Sequence, residues 1–93
     1  MSLCWRQLTG RLAVMSAAPA AQAALGLAVR QRRQELGVTQ EQLANDSHLH
    51  QRWISNLENA QRNPSYPSLR RLAAGLGLST SELIARAEQI ERP

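Results

Sequence analysis

The apolar residues between Thr39 and Glu58 follow a helical spacing that is interrupted once. Two of them, Ile54 and Leu57, stand three residues apart, which is the spacing of one helix face. A short polar segment separates this pair from the earlier apolar positions. The pattern predicts two short helices joined by a tight turn. The apolar residues are Leu43 and Ala44 on the first helix, Leu49 in the turn, and Ile54 and Leu57 on the second helix.

Hydrogen-bonding side chains occupy the face of the second helix that lies away from the apolar stripe. Gln51, Arg52, Ser55 and Asn56 are of the types that can bond base edges in a DNA groove. A helix with one buried face and such an outer face fits the second helix of a DNA-binding pair. An ordinary solvated helix is the competing interpretation, because polar outer faces are the default.

Capping and helix-stopping residues predict the boundaries of the first two helices. We expect helix 1 to begin near Pro19, because proline suits the first helical turn, and to stop at Gly37. Thr39 and Gln42 have the spacing of a capping box at the start of helix 2, which we expect to end around Asn45–Asp46. The expected inner-face side chains of helix 1 are Leu25, Val29 and Leu36.

Similar signals predict three helices in the second half of the chain. Helix 3 is expected over about Gln51 to Asn59, with His50 at its cap position, and Asn63-Pro64 marks the turn that follows. Helix 4 is expected over about Pro67 to Gly75, and a second capping box opens helix 5. The sequence therefore predicts an all-α fold, a five-helix bundle without strands. The second box is Ser79 with Glu82, and the expected inward-facing residues of these two helices are Leu69, Leu72, Ala73, Leu83, Ile84 and Ala87.

Residues 1–19 form a segment that we separate from the helical domain at residues 20–93. Four large apolar residues of this segment fall at 3-4-3 spacing on one helix face, although Gly10 weakens a helix there. Three interpretations are open: an additional helix that packs on the domain or across a dimer, a basic arm that contacts DNA, or a stretch preceding a true start at Met15. The apolar residues are Trp5, Leu8, Leu12 and Met15, and the arginines of the arm interpretation are Arg6 and Arg11.

Composition and charge are compatible with a nucleic-acid partner. A length of 93 residues corresponds to one small domain with a core of limited size. The net charge of +4 and the pI of about 11.0 permit a polyanion partner without requiring one. All 11 basic residues are arginines, which we attribute to codon bias in a GC-rich genome. Individual arginines can still bond guanine or phosphate in a bidentate manner.

The sequence gives no sign of catalysis, of a cofactor or of a membrane partner. The single cysteine, Cys4, suits a reducing compartment, so we expect a cytoplasmic protein that joins the bacterial nucleoid when it binds DNA. No apolar run reaches the 18 residues that a membrane-spanning helix needs. Asp46, His48 and His50 match no zinc spacing, even with Cys4. Catalytic triads, paired carboxylates and Gly-rich phosphate loops are missing too. We therefore expect no enzyme activity, no cofactor or metal and no small-molecule ligand.

Five motifs follow one another between about Leu25 and Ala87. They are Arg33, GVTQEQLA, IS-x-L-E, RNPS and LAAGLGLS-x-SEL. This series resembles the phage repressor and Cro-like helix-turn-helix domain, of the xenobiotic-response-element type, and covers most of the chain. Within that family, the segment LHQRWIS is similar to the small controller proteins of restriction–modification systems. The resemblance implies a lambda-repressor-like bundle of five helices, in which helices 2 and 3 bind DNA.

The resemblance also implies roles for the polar residues of helices 2 and 3. Gln40 matches a glutamine that bonds a DNA phosphate, assisted by the free N–H groups of the helix terminus. Gln51, Arg52 and Asn56 match the base-recognition positions, where glutamine suits adenine and arginine suits guanine. Phosphate contacts position the protein without specifying sequence. The further residues expected to contact phosphate are Ser55, Asn59 and Arg62.

One further match is structural, and three positions depart from the family pattern. Arg33 and Glu58 match an ion pair that holds helix 3 to helix 1. His48 stands in the turn where glycine is usual, and a positive φ there strains any other residue, histidine less than most. Ala60 replaces the glycine that usually follows helix 3, which leaves room for a different chain path. Arg32 replaces a leucine, and its stem can cover apolar surface while its charge stays outside.

We expect a sequence-specific DNA-binding transcriptional regulator, a repressor or controller, that binds a palindromic operator as a homodimer. A dimer would place two recognition helices about 34 Å apart. Helix 5 is the expected interface, because a terminal helix can spare an apolar face. The rival interpretation is a protein-interaction module, antitoxin-like or adaptor, which the apolar N-terminal segment favours. The residues expected in the helix 5 interface are Leu83, Ala87 and Ile90.

Two aromatic residues have separate expectations. For Trp53, the sequence supports contact with DNA and packing on helix 4 equally. Tyr66 is expected to pack in its loop.

Overall fold

A computed structural model describes the backbone of residues 2–92 and the side chains of residues 19–92. Within that backbone the chain forms five α-helices and no strand, so the predicted all-α fold is confirmed. Short turns join successive helices, as in other helical bundles. The helices are α1 (Ser2–Leu36), α2 (Gln40–Ser47), α3 (Gln51–Glu58), α4 (Tyr66–Gly75) and α5 (Thr80–Glu91).

Helix α1 begins at Ser2, so the predicted start near Pro19 is wrong. Pro19 lies inside the helix, which therefore crosses the expected boundary between the N-terminal segment and the domain. Proline costs a helix one backbone hydrogen bond, but its fixed φ is helical. The alanines that flank it, Ala17, Ala18, Ala20 and Ala21, favour helix more than any other residue type. The apolar residues and arginines discussed above for residues 5–15 lie outside the described side chains.

The capping residues act where the sequence predicted them. At α2, the Thr39 hydroxyl accepts a hydrogen bond from the Gln42 N–H at 3.1 Å, and the Gln42 side chain accepts one from the Thr39 N–H at 2.8 Å. Ser79 and Glu82 form the same box at α5. Gly37 has a φ of +69°, as a helix-ending glycine requires. Helix α2 continues to Ser47, slightly beyond its expected end at Asn45–Asp46.

Aliphatic side chains from all five helices meet in one core. Helix α5 packs along α1, α2 packs against α3 and α4, and α1 also contacts α3. Arg32 joins α1 to the end of α4, because its Nε donates to the Leu76 carbonyl oxygen at 3.0 Å. The buried core residues are Ala24, Leu25, Ala28, Val29, Leu43, Ala44, Ile54, Leu57, Leu72, Ala73, Leu76, Leu83 and Ala87.

Packing within the chain changes the roles expected for three residues. Leu83 is completely buried and Ala87 nearly so, so neither can supply the free apolar face predicted for a dimer. The long helix α1 covers that face of α5. Leu36, expected on the inner face of α1, is 42% exposed because it is the last residue of its helix. No helix in the described part of the chain is long and apolar enough to span a membrane.

Candidate nucleic-acid interface

Helix α3 has a completely buried face and a water-exposed face. Ile54 and Leu57 are fully buried and anchor the helix in the core. Gln51 and Arg52 are exposed in the first turn, and Asn56 is half-buried one turn later. The core therefore fixes the orientation of the helix, while the side chains expected to recognise bases remain accessible from outside.

An open cleft adjoins the exposed face of α3. Arg52, Asn56 and Arg62 line it, so it brings together two of the expected base-recognition residues and one expected phosphate contact. His50 and Trp53 complete its wall. Trp53 is half-buried and also packs against the core. The indole therefore supports the helix with one part and borders the cleft with another.

The other expected phosphate contacts lie along α3 and at the start of α2. Ser55 is half-buried on α3, whereas Asn59 is exposed and caps the end of that helix. Gln40 is the first residue of α2, and its Nε2 donates a hydrogen bond to Glu58 Oε1 at 3.2 Å. The amide of Gln40 is thus fixed next to the end of α3. An amide nitrogen carries two N–H donors, so one of them is still available to a ligand.

Glu58 is a buried carboxylate that joins α3 to α1 and to the start of α2. Its side chain has no exposed surface. Arg33 contacts both carboxylate oxygens, with Nε 2.8 Å from Oε2 and Nη2 3.1 Å from Oε1. Arg33 Nη1 donates to the Val38 carbonyl oxygen at 3.0 Å, so the pair also fixes the loop that leads to α2. The geometry is the bidentate fork that arginine makes with carboxylates.

The surroundings of Glu58 favour its charged form. Burial alone would raise the pKa of Glu58, but the hydrogen bonds from Arg33 and Gln40, the charge of Arg33 and the bond from Arg30 together hold this pKa below its ordinary value of 4.5. The hydrogen bond to Glu58 likewise raises the pKa of Arg33. A buried carboxylate with such partners stays ionised and keeps its hydrogen bonds.

A close backbone approach between α1 and α3 accompanies this ion pair. Gly26 is buried, and a Cβ added there would overlap the Leu57 carbonyl oxygen and lie 3.0 Å from the Glu58 carbonyl oxygen. Gly26 is seven residues before Arg33, two helical turns along the same face of α1. The end of α3 is therefore held against α1 both by direct backbone contact and by the Arg33–Glu58 pair.

The two turns next to α3 contain two of the three residues that depart from the family pattern. His48 has a φ of +57° and lies in the left-handed region, while the Leu49 N–H donates to the Ala44 carbonyl oxygen at 2.9 Å. Ala60 has a φ of +59°, so the chain leaves α3 as it would with glycine, and the different path we considered is wrong. The Gln61 N–H closes that turn on the Asn56 carbonyl oxygen at 2.8 Å.

Three residues near this surface were not predicted from the sequence. Arg30 joins Glu58 as a second arginine, Gly26 provides the close approach, and His50 lines the cleft although its side chain makes no cap hydrogen bond. A glycine inside a helical pattern was the available signal for Gly26.

Tyr66, expected in a loop, begins α4 and is exposed, with the Arg70 guanidinium 6.0 Å from its ring centroid. The described side chains contain no cluster of three or more potential metal ligands.

Comparison with known proteins shows that the chain is similar to transcriptional regulators. A helix-turn-helix domain family matches residues 24–87. The HTH-type transcriptional regulator y4dJ of Sinorhizobium fredii is 39% identical over 57 residues, 61% of this chain and 74% of the relative. The clp gene regulator ClgR of Corynebacterium glutamicum aligns with a TM-score of 0.72 and 30% identity over 76% of each chain. The restriction-modification controller protein C.AhdI of Aeromonas hydrophila aligns with a TM-score of 0.65 and 32% identity, over 67% of this chain and 94% of that one.

Proposed function

The chain belongs to the helix-turn-helix domain family, and from this premise we propose that it regulates transcription as a homodimer on a near-palindromic DNA operator. The family match confirms the resemblance predicted from the sequence motifs, including the likeness to restriction–modification controller proteins. One observation carries the proposal: Gln51, Arg52 and Asn56 remain accessible on a helix whose opposite face is fixed in the core.

In this proposal α3 enters the major groove and its accessible side chains contact base edges. Arg52 would bond guanine O6 and N7, and Gln51 or Asn56 would bond adenine N6 and N7. Each such pair contributes roughly 1–3 kcal/mol of discrimination against the wrong base. Contacts to phosphate from Gln40 and from three residues at and beyond α3 would set the register of the protein on DNA. Those three residues are Ser55, Asn59 and Arg62.

The apolar surface that remains on α1 and α5 supports the dimer. Ala20, Ala23 and Leu27 of α1 line a mostly apolar groove together with Ile90 and Glu91 of α5. Leu27 is 41% exposed there, although leucine is usually buried. We propose that a second copy of the chain covers this groove, in place of the interface predicted through Leu83 and Ala87. Two recognition helices would then lie about one DNA turn, roughly 34 Å, apart.

Sedimentation at micromolar concentration tests the dimer. Leu27→Glu should yield a monomer, since the new carboxylate would be buried without a partner in the interface. Leu36→Glu is the matched control, because Leu36 is equally exposed at the end of α1 and does not line the groove. A wild-type chain that sediments as a monomer, or a Leu27→Glu variant that still dimerises, contradicts the proposed interface.

Two substitutions test base recognition and phosphate contact separately. We expect Arg52→Ala to weaken binding mainly at particular base pairs and Gln40→Ala to weaken binding equally on all sequences. Gln34→Ala, which removes an exposed glutamine of α1, is the control for Gln40→Ala. Binding is measured at one fixed salt concentration, because phosphate contacts depend on salt. Unchanged DNA affinity in both variants contradicts the proposal and favours the protein-interaction module.

A further inference from the structure

The cluster around Glu58 contains one carboxylate and two arginines. Arg33 uses all three guanidinium nitrogens, two on Glu58 and one on the Val38 carbonyl oxygen, and its side chain is only 16% exposed. This bidentate contact already balances the charge of Glu58. The second arginine, Arg30, therefore adds a positive charge that the carboxylate does not need.

Arg30 is held in place by one hydrogen bond and is open to solvent elsewhere. Its Nε lies 3.3 Å from Glu58 Oε1, and its side chain is 42% exposed. Among the described residues, its terminal nitrogens Nη1 and Nη2 have no hydrogen-bond partner. The guanidinium is thus oriented by its inner nitrogen, while its two outer nitrogens carry four N–H donors that this bond does not use.

Gln40 donates to the same carboxylate oxygen as Arg30. Its Nε2 lies 3.2 Å from Glu58 Oε1, so the amide of α2 and the guanidinium of α1 are neighbours on one acceptor. One N–H of that amide is used in this bond and the other is left for a ligand. A cation and a neutral donor, fixed side by side, form an arrangement suited to an oxyanion.

We propose that Arg30 binds a backbone phosphate of DNA together with Gln40. The inference rests on the proposed function, because it takes Gln40 to face the DNA backbone. Arg30 supplies the charge and Gln40 a hydrogen bond, while Glu58 positions both side chains before DNA arrives. Such pre-positioning lowers the entropy that is lost when the contact forms. The contact fixes the position of α3 on DNA without discriminating between base sequences.

A purely structural role for Arg30 predicts a different outcome. Without Arg30, Glu58 still has its bonds from Arg33 and Gln40, and a half-exposed ion pair in water adds little to stability. Removing Arg30 should therefore leave thermal unfolding nearly unchanged. Its loss should instead appear in the salt dependence of DNA binding, where each neutralised phosphate contributes a slope of about 0.9 in log Kd against log salt.

The experiment compares Arg30→Gln, Arg30→Lys and the wild-type chain on two duplexes, the selected operator and an unrelated sequence. For Arg30→Gln we expect about a tenfold loss of affinity on both duplexes and a salt slope lower by about 0.9. Arg30→Lys keeps the charge and should retain the wild-type slope. Thermal unfolding without DNA should be the same for all three proteins.

Two results overturn the inference. One is an unchanged salt slope in Arg30→Gln. The other is an Arg30→Gln protein that binds DNA more weakly and also unfolds at a much lower temperature than wild type, combined with an Arg30→Lys protein that does not retain the wild-type salt slope. That combination is expected of a residue with a structural role. Arg52→Ala is measured alongside to separate the two hypotheses. If Arg52→Ala weakens operator binding and Arg30→Gln does not, only this inference fails; if neither does, the proposed function fails as well.

Discussion

Replacing Glu58 by glutamine removes the charge that joins α3 to α1 and replaces one of its two acceptor oxygens by an NH2 donor. The largely buried Arg33 guanidinium would lose its counter-ion but keep one amide oxygen as an acceptor. Breaking a buried pair from one side costs about 3–5 kcal/mol, and the remaining acceptor places Glu58→Gln near the lower end, at about 3 kcal/mol. For a domain of this size each kcal/mol lowers Tm by about 4–8 °C, so we expect a decrease of about 12–24 °C at pH 7.

The same substitution has a defined pH dependence. The pKa of Glu58 is lowered in the folded protein from an ordinary value of 4.5, so its stabilising effect is complete above that value. The effect is lost as the pH falls from 4.5 through the lowered pKa of the folded state. The difference in unfolding free energy between wild type and Glu58→Gln should therefore be constant near neutral pH and shrink in acid. The other carboxylates are common to both proteins, so their contributions cancel.

Denaturant unfolding of both proteins between pH 7 and pH 3 measures this difference. Glu35→Gln is the matched control: Glu35 also contacts two arginines, Arg32 and Arg86, but at the exposed surface. We expect Glu35→Gln to change stability much less, because water and salt screen surface pairs. Equal stability of Glu58→Gln and Glu35→Gln at pH 7 would show that the Glu58 charge does not stabilise the fold. So would a difference in unfolding free energy between wild type and Glu58→Gln that is the same at pH 7 and pH 3.

Two further predictions concern backbone positions near α3. Gly26→Ala should destabilise the protein by about 1–3 kcal/mol through overpacking against α3, although alanine favours a helix by about 1 kcal/mol over glycine. Urea unfolding measures the net change in unfolding free energy. A variant more stable than wild type would contradict the close approach between α1 and α3. Ala60→Gly should stabilise the protein by about 0.5–1 kcal/mol, because the left-handed backbone strains alanine by roughly 1–2 kcal/mol and the flexibility of unfolded glycine offsets part of the gain. A lower Tm for Ala60→Gly is the contrary result.

The elements with local signals could be predicted from the sequence. Thr39 with Gln42, and Ser79 with Glu82, place donors and acceptors within one helical turn, so no distant residue alters their effect. The apolar spacing of α3 likewise determines which face is buried. The pairing of Arg33 with Glu58 spans 25 residues and was inferred only through the family resemblance.

The remaining features depend on contacts between distant parts of the chain. Pro19 resembles a helix start, but the surrounding alanines let α1 continue through it. From the sequence alone, Leu83 could belong to a dimer interface or to the core. In the folded chain α5 packs on α1, and Leu83 is buried in the core. Arg30 is one of three arginines near the end of α1, and only the fold shows which of them reach Glu58.

Recognition of a DNA sequence by the accessible face of α3 can be measured by selecting bound duplexes from a random pool with the purified full chain. We expect enrichment of a near-palindromic site whose half-sites lie about one helical turn apart. The same selection with Arg52→Ala should lose the preference for one guanine. If the wild-type chain enriches no sequence at a salt concentration where it remains folded, α3 does not recognise a DNA sequence.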